Sequence, residues 1–246
     1  MNSVRRRAQH LARFLERHQP DVVFLQELKC KTEEFPALEL AGTGYRMHAV
    51  GQHGGRNGVA VLARIPFEVA AEALPGEETD TQARYIEITT ESATLAGIYL
   101  PNGNSGGEEG IAYKWRWMER LAARTREHLD AFRPFAILGD FNVCPANDDL
   151  APGALPPTDA LVHPETRARF RALLWAGMTD AAAALGTRPY TYWDYGSAFE
   201  TNTGLRIDHA LLSPDLAERL TSFGVDTEAR AEQQPSDHAP VWIDLT

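Results

Sequence analysis

Two short apolar runs constrain this chain more than any other feature. Val22-Val23-Phe24-Leu25 and Phe135-Ala136-Ile137-Leu138 contain no polar residue. They are too short to span a membrane and too continuous for a strand with one wet face. Each reads as a strand covered on both faces, which requires further layers of structure around it. Each also ends in polar residues: Gln26-Glu27 after the first, Gly139-Asp140-Phe141-Asn142 after the second. Two buried strands therefore deliver carboxylates at their C-terminal ends.

Around them the pattern alternates between helix and strand. Val4, Ala8, Leu11 and Leu15 recur at helical spacing until Pro20 stops the helix. Strands are predicted at 45–50, 58–63, 84–89 and 94–100, broken by Gly54-Gly55, Pro75-Gly76 and Pro101-Asn102-Gly103, and this stretch reads as a β-meander. Met118, Leu121, Ala122, Thr125, Leu129 and Phe132 mark a long amphipathic helix ended by Pro134. A further helix is predicted over 165–175, after the Pro-rich loop 145–164, and strands over 207–213, 222–227 and 240–245. Helices grouped between runs of strands favour packed sheets covered by helices over a single βαβ ladder. No low-complexity linker or solenoid period interrupts the chain, so residues 1–246 read as a single domain.

Composition narrows the function classes. With 24 Lys+Arg against 34 Asp+Glu, the net charge of −10 argues mildly against bulk nucleic-acid binding, while leaving room for a local basic face. Cys30 and Cys144 form no CxxC pattern and no signal peptide precedes them, which points to a reducing interior and a cytoplasmic protein. No apolar stretch approaches a membrane span. Arg5-Arg6-Arg7 mimics a transit peptide but runs straight into a helix.

The residues fit for chemistry sit at strand ends: Glu27, Asp140, Asn142, Asp208, Asp237 and His238. Carboxylate and amide oxygens suit Mg²⁺, with Mn²⁺ as second choice, whereas zinc would ask for more His or Cys. Ser236-Asp237-His238-Ala239-Pro240 places an ionisable pair just before the apolar strand Val241-Trp242-Ile243. Asp208, on the run Ile207 to Leu212, is placed to hold that imidazole in one tautomer. Each piece alone also has a structural explanation: a capping Glu, an ordinary Gly-Asp-Phe-Asn turn, a core His with one hydrogen bond.

Taken in order, five segments resemble the exonuclease III family of abasic-site endonucleases, within the endonuclease/exonuclease/phosphatase superfamily. They are Gln26-Glu27-Leu28-Lys29, Tyr99-Leu100-Pro101-Asn102, Gly139-Asp140-Phe141-Asn142, Gly204-Leu205-Arg206-Ile207-Asp208 and Ser236-Asp237-His238-Ala239-Pro240-Val241. The resemblance covers essentially the whole chain, including Phe67 to Pro75, Gln82-Ala83-Arg84 and Tyr192-Trp193-Asp194-Tyr195. It implies a four-layered α/β sandwich in which two packed central β-sheets, flanked by helices, bring these loops to one rim. It further implies Mg²⁺-dependent hydrolysis of double-stranded DNA at abasic sites and from 3′ ends, by a monomer. By motif, Glu27 would ligate the metal, Asp237 would join the same cluster or support it from just outside, and Asn2 would reach the metal through the motif's second polar position. His238 would contact the scissile phosphate, oriented by Asp208. Asp140 and Asn142 would position or deprotonate the water, Tyr99 and Asn102 would hold the phosphate, and Arg84 and Lys114 would face the DNA backbone. Tyr192, Trp193 and Tyr195 with Leu205 would form the pocket for a sugar lacking its base, and core packing is the other reading of Trp193.

The match departs in two places. The family opens with a strand ending Trp-Asn-x-Asn/Asp-Gly/Ser, whereas Met1-Asn2-Ser3-Val4 supplies only the second polar position, through Asn2. Without that strand, sheet edges should stay unpaired and part of the core exposed; the expectation is that the natural product starts upstream. Gly103-Asn104-Ser105-Gly106-Gly107 also lacks the Arg that some relatives place there. Two other readings remain at this point: a superfamily phosphatase or phosphodiesterase acting on small or lipid phosphates, and a catalytically weakened DNA-binding module.

Overall fold

The computed structural model covers residues 1–246. Its strands are β1 (Val22–Gln26), β2 (Arg46–Val50), β3 (Val59–Ala63), β4 (Glu68–Ala71), β5 (Tyr85–Thr89), β6 (Thr94–Tyr99), β7 (Phe135–Asp140), β8 (Thr179–Asp180), β9 (Asp208–Leu212), β10 (Leu220–Val225) and β11 (Val241–Leu245). The helices are α1 (Ala8–His18), α2 (Ala37–Leu40), α3 (Gly107–Asp130), α4 (Pro164–Trp175), α5 (Ala181–Ala184), α6 (Pro214–Glu218) and α7 (Thr227–Arg230).

Six strands form one sheet in the order β4-β5-β6-β7-β9-β8, in which β6 and β7 run parallel and the other pairs antiparallel. Period-two alternation sorts its side chains between two cores. Tyr85, Ala96, Ile98, Phe135, Ile137 and Leu211 face α3 and α4, packing on Trp117, Met118, Leu121 and Phe170. Ile86, Ile88 and Leu95 face the opposite way, onto Val59 and Val61 of β3 and Phe24 of β1. Farther along that same face, Ala136, Ala210 and Leu212 meet Phe223, Ile243 and Leu245 of β10 and β11. Helix α1 covers the far side of β1 and β3 through Leu11 and Leu15, packed with Leu25 and Leu62. The layers therefore run helix, sheet, sheet, helix. The two sheets approach closely at Gly97, where a Cβ would lie 2.1 Å from the Phe24 ring, so no larger side chain fits between them.

Two expectations need correction. The stretch from 45 to 100 is not one meander: β2 and β3 join β1 in the order β1-β3-β2, and only β4, β5 and β6 run as a meander in the large sheet. Hydrophobic pattern marks a strand but not its partner. The long helix begins earlier than its apolar stripe and ends before Phe132, which is 89% exposed with left-handed backbone (φ 51°). The sheet layer opposite the six-stranded sheet lies in two pieces, β1-β3-β2 and β10-β11.

Candidate active site

The sheet register lines up the chemistry. Tyr99 at the end of β6 pairs with Asp140 at the end of β7, and Asp140 pairs with Asp208 at the start of β9. Three functional side chains thus leave three adjacent strands at one level. Glu27 follows β1, and His238 precedes β11, so both sheet layers contribute to the same rim.

Local backbone holds the rim in place. Glu27 and Asn142 both take left-handed backbone, at φ 57° and 49°, a conformation that costs a non-glycine residue about 1–2 kcal/mol. Around Glu27 it is fixed by Leu28 N–H donating to Gly58 O at 3.2 Å and Lys29 N–H to Asn57 O at 2.9 Å. Around Asn142 the backbone N–H donates to Asp140 Oδ1 at 2.8 Å, and the side-chain Nδ2 donates to Asp140 Oδ2 at 3.1 Å and Leu100 O at 2.9 Å. Asn102 Nδ2 then donates to Asn142 Oδ1 at 3.0 Å. Glu27, directly after β1, and Asn142, two residues past β7, are therefore turned to present their polar groups at the rim.

His238 lies between two carboxylates. Its Nδ1 is 2.8 Å from Asp208 Oδ2, and its Nε2 is 3.9 Å from Asp140 Oδ2. Thr191 Oγ1–H donates to the same Asp208 oxygen at 2.6 Å, which assigns the Nδ1 proton to the imidazole. Burial disfavours charge on His238, but Asp208, its hydrogen bond, Asp140 and Asp237 outweigh it and push the imidazole up to about 9. Burial, helped by the like charges of Asp208 and Glu27 and opposed by His238, lifts the Asp140 carboxyl well above the usual carboxylate range. At neutral pH the arrangement offers a cationic donor facing a carboxyl able to exchange a proton. Tyr99 is driven upward by burial and by Glu27 and Asp140, so its phenol stays protonated and donates.

A cation is favoured beside this pair. Asn2 Nδ2 donates to Asp237 Oδ1 at 3.1 Å, Lys29 Nζ donates to Asn2 Oδ1 at 2.8 Å, and Lys29 Nζ lies 3.1 Å from Glu27 Oε1. The Met1 amino group sits in the fields of Glu27, Asp237, Asp208 and Asp140, although burial pulls its pKa below the usual value. The Lys29 ammonium, held against Glu27 and Asn2, marks where positive charge is favoured. The donors are all oxygens, as Mg²⁺ or Mn²⁺ requires. No three acidic, His or Cys side chains form a closed cage, and Mg²⁺ needs none, because it keeps waters and takes one or two carboxylates. The residues present fit the ion.

Comparison with known proteins follows this geometry. The Endonuclease/Exonuclease/phosphatase family model matches residues 1–238. The chain belongs to that family. It is 34% identical to exodeoxyribonuclease III of Haemophilus influenzae over 263 aligned positions, covering 100% of this chain and 97% of the relative. Among solved structures it is similar to a 3′ phosphatase, NExo, from Neisseria bound to product DNA hairpin (TM-score 0.93, 34% identity, 100% of this chain and 96% of the other). It is also similar to an AP endonuclease from Archaeoglobus fulgidus (TM-score 0.91, 30% identity, 99% and 96%).

In this member of the family a pocket of about 580 Å³ opens at the rim. It brings together Glu27, Tyr99, Asn102, Asp140, Asn142, Leu205, Asp237 and His238, with Tyr192 and Tyr195. Asp208 stands behind His238, and Asn2 joins through Asp237 and Tyr195 Oη. Three sequence expectations are placed elsewhere. Lys114 is fully buried, its Nζ donating to Asn102 O at 2.9 Å and Asn142 O at 2.6 Å. It ties two site loops together and does not reach a DNA backbone, and burial pulls its ammonium down to about 7. Trp193 is buried beneath the pocket, its Nε1–H donating to Asn202 Oδ1 at 3.1 Å, because extended backbone turns Tyr192 inward and its neighbour away. Arg84 lies over the Tyr99 ring, 4.8 Å from its centroid, and donates to Tyr99 O at 3.2 Å, steadying that residue from behind.

Sequence reasoning missed Thr191, which anchors Asp208, and Lys29, beside Glu27. It also missed Arg206, which is fully buried between Asp149 (2.7 Å) and Asp180 (2.9 Å) and fixes the approach to Asp208. Lys29 lay within a quoted motif, so its signal was available; nothing local distinguished Thr191.

Proposed function

We infer that this chain is a DNA-repair nuclease that hydrolyses phosphodiester bonds in double-stranded DNA at abasic sites and from 3′ ends, using Mg²⁺ with Mn²⁺ as the alternative. The observation that carries this reading is the His238–Asp208 pair, 2.8 Å apart, set against Asp140 and Asn142 in a single pocket. Asp140 and Asn142 orient a water, and the carboxyl takes up its proton as the water oxygen bonds to phosphorus. The bond from phosphorus to the 3′ oxygen breaks; that oxygen takes a proton from solvent water to become a 3′-hydroxyl, and the phosphate stays on the 5′ carbon of the downstream sugar. His238, kept cationic by Asp208, donates from Nε2–H to the phosphate, and Tyr99 and Asn102 hold it from the other side. Glu27 and Asp237, with Asn2, would hold the divalent ion, which when bound supplies positive charge for the phosphate oxygens.

The opposite wall of the pocket suits a sugar. Leu155, Leu161, Leu205 and Ala198 make it apolar beside Tyr192. An abasic nucleotide swings out without losing a base pair, and its bare sugar fits where an intact nucleotide would collide.

End-labelled abasic duplex, recessed 3′ ends and 3′-phosphate ends, each incubated with Mg²⁺ or Mn²⁺ and then with chelator, test this reading. Chelator-sensitive cleavage of the abasic duplex is expected. No metal-dependent release from any DNA substrate, or turnover of small phosphate esters alone, would place the chain on another branch of the family.

A further inference from the structure

Two loops from different strands meet along one side of the pocket. Residues 100–106 lead from β6 into α3, and residues 141–163 lead from β7 into α4. The first carries Asn102, which holds phosphate in the mechanism above; the second carries Leu155 and Leu161 of the apolar wall. Where the loops touch, Gly103 takes left-handed backbone (φ 89°), and a Cβ on it would lie 2.7 Å from Lys114 Cδ and 3.0 Å from Ala160 Cβ. The seam is closed to any side chain at that position.

The Asn104 side chain bridges this seam. Its Oδ1 accepts from Ala160 N–H at 2.8 Å, and its Nδ2 donates to Asp159 Oδ2 at 3.1 Å, so both ends of the amide hold successive residues of the facing loop. Asp159 Oδ1 in turn accepts from Leu161 N–H at 2.8 Å, which carries the tie to the wall. On the other side Asn104 N–H donates to Asn102 Oδ1 at 3.2 Å, and Asn102 Nδ2 donates to Asn142 Oδ1 at 3.0 Å. With the Asn142 bond to Asp140, a continuous line of hydrogen bonds runs from Leu161 to Asp140. We propose that Asn104 is a positioning residue that sets substrate choice: it fixes the spacing between the phosphate-holding amides and the sugar wall. Cleavage of bonds that carry a sugar beyond the phosphorus depends on it. The inference rests on the proposed nuclease reading and says which of its substrates the seam serves.

The two sides of the seam are anchored separately. Lys114 Nζ holds the carbonyls of Asn102 and Asn142, so the phosphate side keeps its place without the Asn104 side chain. Leu161 O accepts from Cys144 N–H at 3.0 Å, so loss of the Asn104 bridge loosens the wall without detaching it. Two substrates with the same scissile bond separate these roles. In an abasic duplex the phosphorus carries a downstream sugar, which must rest on the wall while the phosphate rests on Asn102. At a 3′-phosphate end the phosphorus carries no further sugar; water attacks it, the bond to the 3′ oxygen breaks and inorganic phosphate leaves. A misplacement on the order of 1 Å between wall and phosphate costs up to about a hundredfold in rate, and only where both are engaged.

Single-turnover rates at saturating DNA and Mg²⁺, on abasic duplex and on 3′-phosphate ends, test it in a cycle of Asn104→Asp, Asp159→Asn and the two combined. Asn104→Asp sets two carboxylates against each other and is expected to slow abasic cleavage by about tenfold to a hundredfold, while 3′-phosphate release changes by less than about threefold. Combining it with Asp159→Asn restores a donor facing an acceptor at the original total charge. Abasic cleavage is then expected to recover to within about threefold of the unsubstituted rate. Equal loss on both substrates, no recovery in the combined variant, or an unsubstituted protein active on only one of the two substrates overturns the inference and leaves the nuclease reading standing. An unsubstituted protein active on neither overturns that reading and the inference with it.

Discussion

Lys114 shows how burial decides what a charged residue does. On a helix otherwise lined with solvated Arg and Glu, a lysine ordinarily reaches water, and its ordinary use near DNA is to neutralise a phosphate. Here its Nζ is spent on two backbone carbonyls, those of Asn102 and Asn142, which carry side chains at the rim. Lys114→Met keeps the stem but leaves both carbonyls without their donor, at a cost of about 1–3 kcal/mol. The expected result is a turnover loss of about tenfold to a hundredfold on abasic duplex, with the salt dependence of DNA binding unchanged. Measurement of log Kd against log salt checks it, because a lysine that touches phosphate would shift that slope by about one. Trp193 teaches the companion lesson: an aromatic in a functional segment serves as a foundation when the strand phase turns it away from the pocket and into the core.

At the scale of elements, β5 and α3 are clamped by a buried charge cluster. Glu87 is 1% exposed and accepts from Tyr85 Oη at 2.5 Å, from Arg124 Nε at 3.0 Å and Nη2 at 2.5 Å, and lies 3.3 Å from His128 Nε2. Burial would raise its carboxyl, but the His128, Arg124 and Tyr85 hydrogen bonds outweigh it and hold the group at about 2. A carboxyl depressed in the folded state stabilises fully above its unfolded value of about 4.3 and loses that contribution as pH falls through about 2. The magnitude is on the order of 3 kcal/mol. Urea unfolding of the protein and its Glu87→Gln variant should therefore differ most near about pH 6, with the difference shrinking below about pH 4 and vanishing only as pH nears about 2. A difference independent of pH would mean that packing, not charge, accounts for it. The elements themselves were largely legible in the sequence. β1, β7 and β9 showed as apolar runs, and α4 and β11 fell within a residue of their predicted limits. Sheet membership of β2 and β3 was not legible, because the antiparallel pairing of β3 with β1, on which β2 then adds, is chosen by contacts distant in the chain rather than by any local pattern.

Over the whole molecule, the rim is assembled by register. Tyr99, Asp140 and Asp208 share one level of the large sheet, and Glu27 and His238 arrive from the facing layer. The sequence displayed Glu27, Asp140, Asp208 and His238 at strand ends, while Tyr99 entered only through the resemblance to the family. What it did not display were the supports, Thr191, Arg206 and Lys114 in its buried role, because a residue's partner across the fold leaves no local trace. No helix is long and apolar enough to cross a membrane. The central claim is that side chains distant in the chain form one hydrolytic centre with a cation-binding carboxylate at Glu27. Single-turnover cleavage of abasic duplex by Glu27→Gln, at saturating Mg²⁺ and with DNA binding measured in parallel, tests it most directly. The account predicts a fall of about a hundredfold or more in the cleavage rate with DNA affinity retained; cleavage at the unsubstituted rate would contradict it.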